Sequence, residues 1–385
     1  MLKKSKMKKL VIGVTAPGSI ILIEGQLKYF TEQGYKTYLI TQEDERVRAF
    51  CEKEGCEFLP IIINRDITIM NDFKTLLQIY KHFKRVKPDI VNVGTSKMGF
   101  LGTIASFLNR VPLRIYTARG LRFETEKGIK RIVLIGVLKI VGLLTHKIIC
   151  ISDAVRVKGI SNGVFPAQKA IVIHKGSSNG INLEKFETNN QLLEKSKILK
   201  TELGLDNNIV YGFIGRLNDR KGVNELYNAF DKINSKYINS KLLIVGPAEI
   251  ANLSDKSIIA KIESQPNIIY VGFQSDIPLY LSLMDIFVLP TWSEGFGNVF
   301  IQAAAMKVPV IGTKALGVQN AVADGFNGIL VEIKNEVELV QAMEKLYNNK
   351  ELREKLSKNG FIWAQNFDRK IIWQGQQQIY EANQN

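Results

Sequence analysis

Two basic residues near the start of a predicted helix are the first candidates for chemistry in this 385-residue chain. A strand predicted at Ile209–Ile214 leads into the segment GRLNDRKGVNEL, which places Arg216 and Lys221 on a loop and on the first turn of a helix beginning near Lys221. Backbone N–H groups at a helix start favour anions, and arginine and lysine add a planar fork and a compact charge. The segment therefore suits a diphosphate group, the alternative being two solvated surface charges.

A second polar loop precedes a helix of small residues that begins near Asn298. Its two glycines, Gly295 and Gly297, let a backbone approach a ligand closely, and the helix start again offers N–H donors. Glu294 on the loop and Gln302, about two turns into the helix, could contact different parts of one extended ligand. An ordinary helix cap followed by a packed helix is the alternative, because Gly-x-Gly by itself is weak evidence.

Two further segments carry candidate residues in the first half of the chain. The strand predicted at Leu10–Val14 runs into a turn that contains Gly18 and Ser19. Any Rossmann-like domain begins with a strand, a turn and a helix, so a direct ligand role for this turn and a purely structural one both stay open. The segment YTARGLRFET follows a later strand and holds Arg119 and Arg122.

The elements that must position these residues alternate between short apolar runs and amphipathic segments. Such alternation predicts parallel sheets covered by helices on both faces. In the first half we predict strands at Leu10–Val14, Thr37–Ile40, Glu57–Ile62, Asp89–Val93, Arg114–Tyr116, Lys147–Ile151 and Ala170–Ile173. In the second half we predict strands at Ile209–Ile214, Lys241–Val245, Asn267–Val271, Asp285–Leu289, Val308–Ile311 and Gly328–Val331.

The domain organisation follows from this repeated architecture. The polar run KGSSNGINLEKF interrupts the pattern, so we expect a first Rossmann-like domain over residues 1–185 and a second over 186–366. Residues 336–385 read as three helices, the last of which, 367–385, is expected to cross back to the first domain. The predicted fold is α/β, with two doubly wound domains facing each other across a cleft that lies at the carboxyl ends of the strands.

The net charge of +15 lies entirely in the first half. Residues 1–190 hold 31 basic and 16 acidic residues, whereas 191–385 hold 21 of each. Such a potential attracts a nucleic acid, an anionic membrane or a phosphorylated substrate, and no helix-turn-helix or RNA-binding motif supports the first. The apolar segment Ile132–Leu144 is too short to span a bilayer and is either a core helix or an interfacial one flanked by lysine and arginine.

Cysteine and histidine usage argues against metal and disulfide chemistry. The three cysteines are too few for a disulfide framework and fit a reducing cytosol. The three histidines have neither metal-ligand nor catalytic-triad spacing, and no Asp-x-Asp sequence is present. We therefore expect no metal, and cations and helix ends would have to neutralise a bound diphosphate.

The paired loops resemble the signature of the retaining GT-B glycosyltransferases, often called glycosyltransferases group one. The resemblance extends over most of the chain and is most specific between about Val210 and Val331. Among the family, the chain resembles in particular the members that assemble polysaccharides or lipid-linked oligosaccharides. The matching residues are Gly215, Arg216, Lys221 and Gly222 in a Gly-Arg…Lys-Gly element, Glu294–Asn298 around Gly-Phe-Gly, and Asp324, Gly325 and Gly328 in an Asp-Gly-x-x-Gly pattern.

This resemblance implies roles for individual residues. Arg216, Lys221 and Glu294 would be catalytic, the first two binding the diphosphate as it leaves and Glu294 binding hydroxyls of the transferred sugar. Arg119 and Arg122 would lie on the acceptor side, where many relatives carry a histidine. The implied donor-binding residues are Gly18, Ser19, Gly215, Gly272, Phe273, Gly295, Phe296, Gly297, Asn298, Val299 and Gln302.

One position departs from the family pattern. Gln302 stands where the family has a second acid that binds the ribose hydroxyls, a role that an amide can serve without charge. The departure puts ribose affinity in doubt more than the type of reaction.

The implied activity is transfer of a sugar from a nucleotide-diphosphate donor, UDP favoured, with retention and without a metal. The donor is a substrate, so no cofactor is expected. The acceptor would be a glycan or polyprenyl-diphosphate-sugar in capsule, exopolysaccharide, O-antigen or other glycan assembly, at the cytoplasmic face of an anionic membrane. The alternatives are a GT-B-fold epimerase or phosphorylase and a non-catalytic nucleotide- or nucleic-acid-binding protein.

Overall fold

The computed structural model describes residues 7–64 and 68–382 and divides into two compact units. The first unit comprises Met1–Asn179 together with Lys370–Asn385, and the second comprises Gly180–Arg369. Each unit contains one parallel β-sheet with helices packed on its faces.

The described elements of the first unit are seven strands and seven α-helices. The strands are β1 (Lys9–Gly13), β2 (Lys36–Gln42), β3 (Glu57–Ile61), β4 (Ile90–Gly94), β5 (Leu113–Ala118), β6 (Lys147–Cys150) and β7 (Ala170–Val172). The helices are α1 (Gln26–Glu32), α2 (Glu45–Glu54), α3 (Ile69–Val86), α4 (Ser96–Leu108), α5 (Gly128–Leu144), α6 (Asp153–Ser161) and, from the end of the chain, α15 (Arg369–Ala382).

The described elements of the second unit are six strands and eight α-helices. The strands are β8 (Ile209–Ile214), β9 (Ser240–Val245), β10 (Ile268–Tyr270), β11 (Ile286–Val288), β12 (Val310–Thr313) and β13 (Gly328–Val331). The helices are α7 (Asn190–Glu202), α8 (Val223–Lys236), α9 (Ile258–Ser264), α10 (Ile277–Leu281), α11 (Asn298–Ala305), α12 (Val318–Ala321), α13 (Glu336–Asn348) and α14 (Lys350–Ala364).

The first sheet has the strand order β3-β2-β1-β4-β5-β6-β7, and all its pairings are parallel. Successive residues of β1 pack on opposite faces because side chains alternate along a strand. Leu10 and Ile12 join a core cluster with residues of α1, α2 and α15, whereas Val11 joins a second cluster with residues of α3 and α4. Burial on both faces explains why the strands read as nearly continuous apolar runs.

The second sheet has the order β10-β9-β8-β11-β12-β13, again with parallel pairings only. Its central strand β8 is buried over Val210–Ile214. All thirteen strands predicted from the apolar runs are present with small shifts at their ends, and the predicted α/β fold with two doubly wound sheets is confirmed.

The polar run that suggested a domain boundary at residue 185 is partly buried in the first unit. Ser177, Ser178 and Asn179 are each less than one-tenth exposed. The backbone N–H of Ser177 donates to the carbonyl of Ile151 at 2.7 Å, and the Asn179 amide donates to the carbonyl of Glu24 at 2.9 Å. The compact units therefore change at Gly180, because a polar sequence is held here by hydrogen bonds rather than exposed as a linker.

Helix α15 packs within the first unit, to which the chain returns at Lys370. Ile372 and Tyr380 are buried in its core. The Tyr380 hydroxyl accepts a hydrogen bond from the Asn92 amide at 2.8 Å, and the Trp373 indole N–H donates to Asn179 Oδ1 at 2.7 Å. The end of the chain thus stabilises a sheet that its beginning forms.

Helix α5 contains the apolar segment Ile132–Leu144 and is amphipathic in the structure. Leu134, Leu138 and Val141 are buried against the unit, whereas Ile132 is 69% exposed. None of the described helices has the length and apolar character that crossing a bilayer requires.

Candidate functional site

The second sheet has a topological switch point between β8 and β11. Strand order runs outward from β8 to β9 and β10 in one direction, and from β11 to β12 and β13 in the other. In open parallel sheets, loops that leave neighbouring strands in opposite directions form a crevice at the carboxyl ends of those strands, where ligands bind. The two segments that carry the predicted catalytic residues, 215–222 and 289–297, are the loops that follow β8 and β11.

The loop after β8 ends in a capped turn. Asn218 Oδ1 accepts a hydrogen bond from the Lys221 backbone N–H at 3.2 Å and closes a 3-10 turn over Asp219–Lys221. Gly222 has φ 72°, and α8 begins one residue later at Val223. The α-helix therefore begins two residues beyond the predicted start, because the capped turn takes the first residues of the segment.

A carboxylate from a third strand-end loop holds this segment. Glu249, which follows β9, accepts a hydrogen bond from Arg216 Nη1 at 2.8 Å and another from the Asn218 amide at 2.6 Å. The Arg216 side chain is 61% exposed, so its guanidinium is oriented but accessible. The sequence reasoning did not identify Glu249, although its position after a strand and after Gly246, at φ 140°, was a usable signal.

Lys221 and Glu294 come together across the switch point. The Lys221 ammonium forms an ion pair with the Glu294 carboxylate, and both side chains are less than one-fifth exposed. The loops are also joined through Arg220, whose carbonyl accepts hydrogen bonds from the Thr291 hydroxyl at 2.9 Å and the Trp292 backbone N–H at 2.8 Å. The structure thus brings two of the three predicted catalytic residues into contact.

Glycine allows this close approach of backbones. A Cβ at Gly222 would lie 2.1 Å from the carbonyl oxygen of Pro290, and one at Gly317 would lie 2.4 Å from the carbonyl oxygen of Gly295. Both glycines have φ near +80°, a conformation that other residues rarely adopt. The loop that carries Glu294 is therefore in contact with backbone on two sides.

The predicted helix at Asn298 is present as α11, and Gly297, with φ 83°, is its N-terminal cap residue. Gln302 is the fifth residue of α11, so it lies about one turn into the helix rather than two. Asn298, Val299 and Gln302 are half-buried. Backbone N–H groups at such a helix start can bind a phosphate.

Phe296 has a different position from the rest of the predicted donor set. Its side chain is 3% exposed and packs on the ring of Phe367 at a centroid distance of 5.3 Å. The side chain is therefore part of the core, which leaves the backbone of Phe296 for any ligand contact.

Gly272 and Phe273 lie beyond β10 at the edge of the sheet. The carbonyl of Gly272 accepts a hydrogen bond from the Gly246 N–H at 2.7 Å, which links this turn to the loop after β9. Phe273 is 72% exposed and so offers a free aromatic face. Gly215 is half-buried and lies beside Gly246. A Cβ at Gly246 would lie 1.8 Å from the carbonyl oxygen of Gly215.

The Asp-Gly-x-x-Gly pattern forms a structural turn. Asp324 Oδ1 accepts a hydrogen bond from the Leu330 N–H at 2.8 Å, and the Gly325 N–H donates to the Gly328 carbonyl at 2.8 Å. A Cβ at Gly328 would lie 2.5 Å from the side chain and backbone of Val310. This segment thus fixes the start of β13.

A half-buried acid supports the site from the first turn of α8. Glu225 Oε1 accepts a hydrogen bond from the indole N–H of Trp292 at 3.0 Å. Burial raises the pKa of the Glu225 carboxyl, and hydrogen bonds, including the one from Trp292, oppose this rise. Lys334 lies 3.6 Å from the centroid of the Trp292 ring. Neither Glu225 nor Trp292 was identified from the sequence, because their pairing joins residues 67 positions apart.

The first unit has its own switch point, between β1 and β4. Thr15, after β1, and Thr95, after β4, have their hydroxyl oxygens 2.6 Å apart. Thr95 has φ 67°, and the Met98 N–H donates to the Thr15 hydroxyl at 3.1 Å. A threonine from one strand end therefore caps α4, which begins at the other strand end, and holds the backbone in an uncommon conformation.

Gly18 and Ser19 lie on a 3-10 helix, Pro17–Ile23, that follows Thr15 and Ala16. Gly18 is exposed, and a Cβ there would meet open space within 4 Å. Ser19 donates its backbone N–H to the carbonyl of Ala16 at 2.8 Å and lines a cavity described below. The conformation at residue 18 does not itself require glycine.

Arg119 and Arg122 lie beyond the end of β5, in different surroundings. Arg119 Nε donates to the Ser178 hydroxyl at 3.0 Å, while its Nη1 is buried without a hydrogen-bond partner among the described residues. Burial lowers the pKa of Arg119 to about 10, so the guanidinium stays charged at neutral pH. Arg122 is half-exposed, with Nε 3.8 Å from Glu126 Oε1.

No group of three or more histidine, cysteine or acidic side chains placed to hold a metal occurs within residues 7–64 and 68–382.

Two sheets of this order, each with polar residues at its switch point, define a GT-B fold, and solved structures agree. The crystal structure of Anabaena Alr3699/HepE in complex with UDP and glucose superposes with a TM-score of 0.79 at 20% identity. The superposition covers 97% of this chain and 99% of that chain. At this identity the likeness concerns the fold.

The sequence comparisons establish the family. The model of glycosyl transferases group 1 matches residues 195–363, and that of glycosyl transferase 4-like proteins matches 14–152. The chain is 37% identical over 378 residues to the capsular polysaccharide biosynthesis glycosyltransferase CapM of Staphylococcus aureus, covering 98% of both. The chain belongs to the glycosyl transferases group 1 family and is a glycosyltransferase.

A second relative has a more specific name. The UDP-Gal:alpha-D-GlcNAc-diphosphoundecaprenol alpha-1,3-galactosyltransferase of Escherichia coli is 30% identical over 318 residues, which cover 80% of this chain and 77% of that protein.

Proposed function

We propose that this glycosyltransferase transfers a sugar from a UDP-sugar, with retention and without a metal ion, to a polyprenyl-diphosphate-linked acceptor during capsular polysaccharide assembly. The observation that carries the donor half is the contact between Lys221 and Glu294 at the switch point of the second sheet. An ammonium group beside a carboxylate supports a site in which the first binds the diphosphate and the second binds hydroxyls of the sugar. The relatives' names support the class of donor and acceptor.

The donor subsites are assigned to the loops that follow β8, β10 and β11 and to helix α11. Arg216 and Lys221 contact the diphosphate together with the N-terminal end of α11, and their charges stabilise it as it leaves. Glu294 accepts hydrogen bonds from hydroxyls of the transferred sugar. Gln302 binds ribose hydroxyls as an amide, and the exposed ring of Phe273 is placed at the sheet edge where a nucleobase can stack.

Retention is proposed from the linkage that a relative forms. The E. coli protein carries UDP-galactose and an α-1,3 linkage in its name. When the sugar of the donor is α-linked and the product is α-linked, the anomeric configuration is retained. We assign no protein nucleophile, so transfer takes place on the face from which the diphosphate leaves.

The acceptor is assigned to the first unit, where the positive charge of the chain is concentrated. Arg119 presents a charged guanidinium whose Nη1 lacks a protein partner among the described residues, and Arg122 is half-exposed nearby in sequence. Both suit the phosphates of a lipid diphosphate.

Membrane attachment is assigned to α5 of the same unit. The helix exposes apolar residues next to basic ones, which is the pattern of an interfacial helix. Each lysine or arginine near an anionic leaflet contributes about 1 kcal/mol. The exposed apolar residues are Ile129, Ile132, Val133, Ile140 and Leu143, and the basic ones around them are Lys127, Lys130, Arg131, Lys139 and Lys147. The protein would work at the cytoplasmic face of the cell membrane.

A transfer assay tests the activity. A panel of UDP-sugars is incubated with polyprenyl-diphosphate-sugars, and the product is analysed by mass spectrometry and by NMR at the anomeric carbon. We expect one donor to give an α-linked product. A β-linked product contradicts retention, interconversion of the donor sugar without transfer indicates an epimerase, and binding without turnover indicates a non-catalytic protein.

Vesicle sedimentation tests the membrane assignment. The wild-type protein should bind vesicles that contain anionic lipid and should dissociate as salt rises. The double variant Ile132→Ser, Leu143→Ser should lose most binding. Its control is the double variant Leu193→Ser, Ile198→Ser on α7 of the second unit. The side chains replaced there are exposed to a degree similar to those of Ile132 and Leu143. Equal loss in both variants would refute the assignment to α5.

A further inference from the structure

A cavity of about 580 Å³ lies in the first unit beside the switch point between β1 and β4. Its volume is within the range of about 300–1,000 Å³ that is typical of small-molecule sites. The strand-end loops supply one part of its wall and helices α3, α4 and α5 supply the other. The lining residues are Thr15, Ala16, Ser19, Asp72, Thr95, Ser96, Lys97, Phe100, Leu101, Tyr116, Gly120, Arg122, Phe123, Val133, Leu134, Val137 and Leu138.

The two parts of the wall differ in chemistry. The polar part carries hydroxyl groups, the guanidinium of Arg122 and an ion pair between Lys97 and Asp72. The apolar part consists of aromatic and aliphatic side chains of α4 and α5 such as Phe100, Val137 and Leu138. A sugar needs several hydrogen-bond partners to replace those it makes with water, and the aliphatic part supplies none. A hydrocarbon chain fits such a surface and gains from leaving water.

A charge that the protein does not neutralise completely lies next to the polar part, on Arg119. Arg119 Nη1 occupies the space above Gly94, where a Cβ would lie only 1.7 Å from it, and it is buried without a hydrogen-bond partner among the described residues. Arg119 and Gly94 are not among the lining residues, but their chain neighbours Gly120 and Thr95 are. A buried guanidinium nitrogen in this position calls for an anion, since an unpaired buried donor is costly.

The surface around the apolar part is itself apolar. Val133 lines the cavity and is 51% exposed, and Ile132 beside it is 69% exposed. On α3, Asp72 lines the cavity, and its neighbour Phe73 is 56% exposed. Helix α4 packs between these two helices. Exposed apolar side chains therefore flank the cavity on both α3 and α5.

We propose that this cavity binds the phosphate-proximal isoprenoid units of the lipid-linked acceptor, with the hydrocarbon between α4 and α5 and the diphosphate near Arg119 and Arg122. This inference rests on the proposed function for the identity of the acceptor and extends it to a defined lipid subsite. The hydrocarbon continues from the cavity past the exposed apolar residues of α3 and α5 toward the membrane. Because each buried methylene strengthens binding about fourfold, the chain and not only the headgroup contributes to selection of the acceptor.

Equilibrium binding of farnesyl diphosphate, with inorganic pyrophosphate as the headgroup control, tests the cavity without requiring turnover. We expect farnesyl diphosphate to bind at least about tenfold more tightly than pyrophosphate, because its chain buries several methylenes. The variant Val137→Phe, which fills the cavity, should remove this difference. The control Val157→Phe makes the same substitution on α6 of the same unit, at a position that does not line the cavity and is 53% exposed, and it should keep the difference.

If Val137→Phe does not fold, Val133→Trp replaces it, since Val133 lines the cavity from a half-exposed position. Equal binding of farnesyl diphosphate and pyrophosphate, or farnesyl binding that is unchanged in the cavity-filling variant, overturns the proposal. Dioctanoyl phosphatidic acid offers acyl chains on a phosphate. If it binds as tightly and is lost in the same variant, the site belongs to a membrane phospholipid and the isoprenoid assignment is wrong.

The outcome is separable from that of the transfer assay. Cavity-dependent binding of farnesyl diphosphate without transfer to any polyprenyl-diphosphate-sugar would contradict the proposed function and leave the lipid subsite in place. Transfer to a polyprenyl acceptor that does not depend on chain length and is unchanged by Val137→Phe would support the proposed function and contradict the lipid subsite.

Discussion

Lys221 and Glu294 form an ion pair that joins the loop after β8 to the loop after β11. Their side chains are 18% and 17% exposed, so the pair is screened by solvent less than a surface pair but is still reachable by a ligand. Two motifs separated by 73 residues in sequence therefore form one site. A donor diphosphate that approaches Lys221 competes with, or adds to, the carboxylate that already faces it.

Replacing Lys221 or Arg216 by alanine should reduce sugar transfer. Each charge-assisted contact to the leaving diphosphate is worth about 1.5–3 kcal/mol, so we expect a loss of about tenfold or more in kcat/KM for each variant. Steady-state kinetics with the cognate UDP-sugar measures this. The matched control is Arg220→Ala, an exposed arginine in the same turn, which should leave kcat/KM nearly unchanged.

Thermal unfolding separates catalytic from structural effects in this series. Arg216 is largely exposed, so its alanine variant should unfold close to the wild-type temperature. Near-normal transfer by the double variant Arg216→Ala, Lys221→Ala would contradict the assignment of the diphosphate site.

Glu294 and Gln302 should respond differently to exchange between acid and amide. Glu294→Gln removes the charge that faces Lys221 and weakens hydrogen bonds to sugar hydroxyls, so we expect slower transfer and poorer discrimination between UDP-sugars. Gln302→Glu restores the acid that the family pattern has, and it should leave transfer intact or lower KM for the donor. Competition experiments with pairs of UDP-sugars measure both effects. Abolition of activity by Gln302→Glu together with a silent Glu294→Gln would reverse the two assignments.

Transfer should persist when divalent metal is removed. In the proposed mechanism Arg216 and Lys221 supply the positive charge that a metal ion supplies in metal-dependent enzymes. In excess EDTA we expect the initial rate to remain within about twofold of the untreated enzyme, since the charged contacts are unaffected. A large loss that Mn²⁺ or Mg²⁺ restores would show that the proposal of metal independence is wrong.

The strands were predictable because a parallel sheet buried on both faces requires continuous apolar runs, and these are visible in segments such as Ile209–Ile214. The position of Lys221 between β8 and the next helix was predicted from the same pattern, although α8 begins two residues later than predicted. The polar segment around Ser177 and Asn179 was not predictable as buried, because its hydrogen-bond partners, Ile151 and Glu24, lie far away in the chain.

The contacts that orient the site were hidden for the same reason. Glu249 reaches Arg216 over 33 residues, and Trp292 reaches Glu225 over 67. Spacing along a single strand-loop-helix unit identifies the residues that present charge to a ligand. Such spacing does not identify the side chains from other strand-loop-helix segments of the same compact unit that hold these residues in place.

Gly222 should be more sensitive to substitution than a glycine that only adopts a left-handed conformation. It combines φ 72° with a carbonyl oxygen, that of Pro290, only 2.1 Å from where a Cβ would stand. Alanine there meets both a left-handed backbone cost of about 1–2 kcal/mol and a clash with backbone that cannot move without displacing the loop of Glu294. We expect loss of stability and of transfer together.

The matched control is Gly204→Ala in the same unit, where φ is 62° and a Cβ would meet open space. This variant carries the backbone cost alone, which should lower Tm by roughly 2–8 °C for a unit of this size. Gly222→Ala should lower Tm at least about twice as far, and at a temperature where both variants are folded it alone should reduce kcat/KM. Calorimetry and transfer kinetics on the two purified variants make the comparison. Equal shifts in Tm together with equal activity would mean that the close approach between Gly222 and Pro290 does not hold the catalytic loops in position.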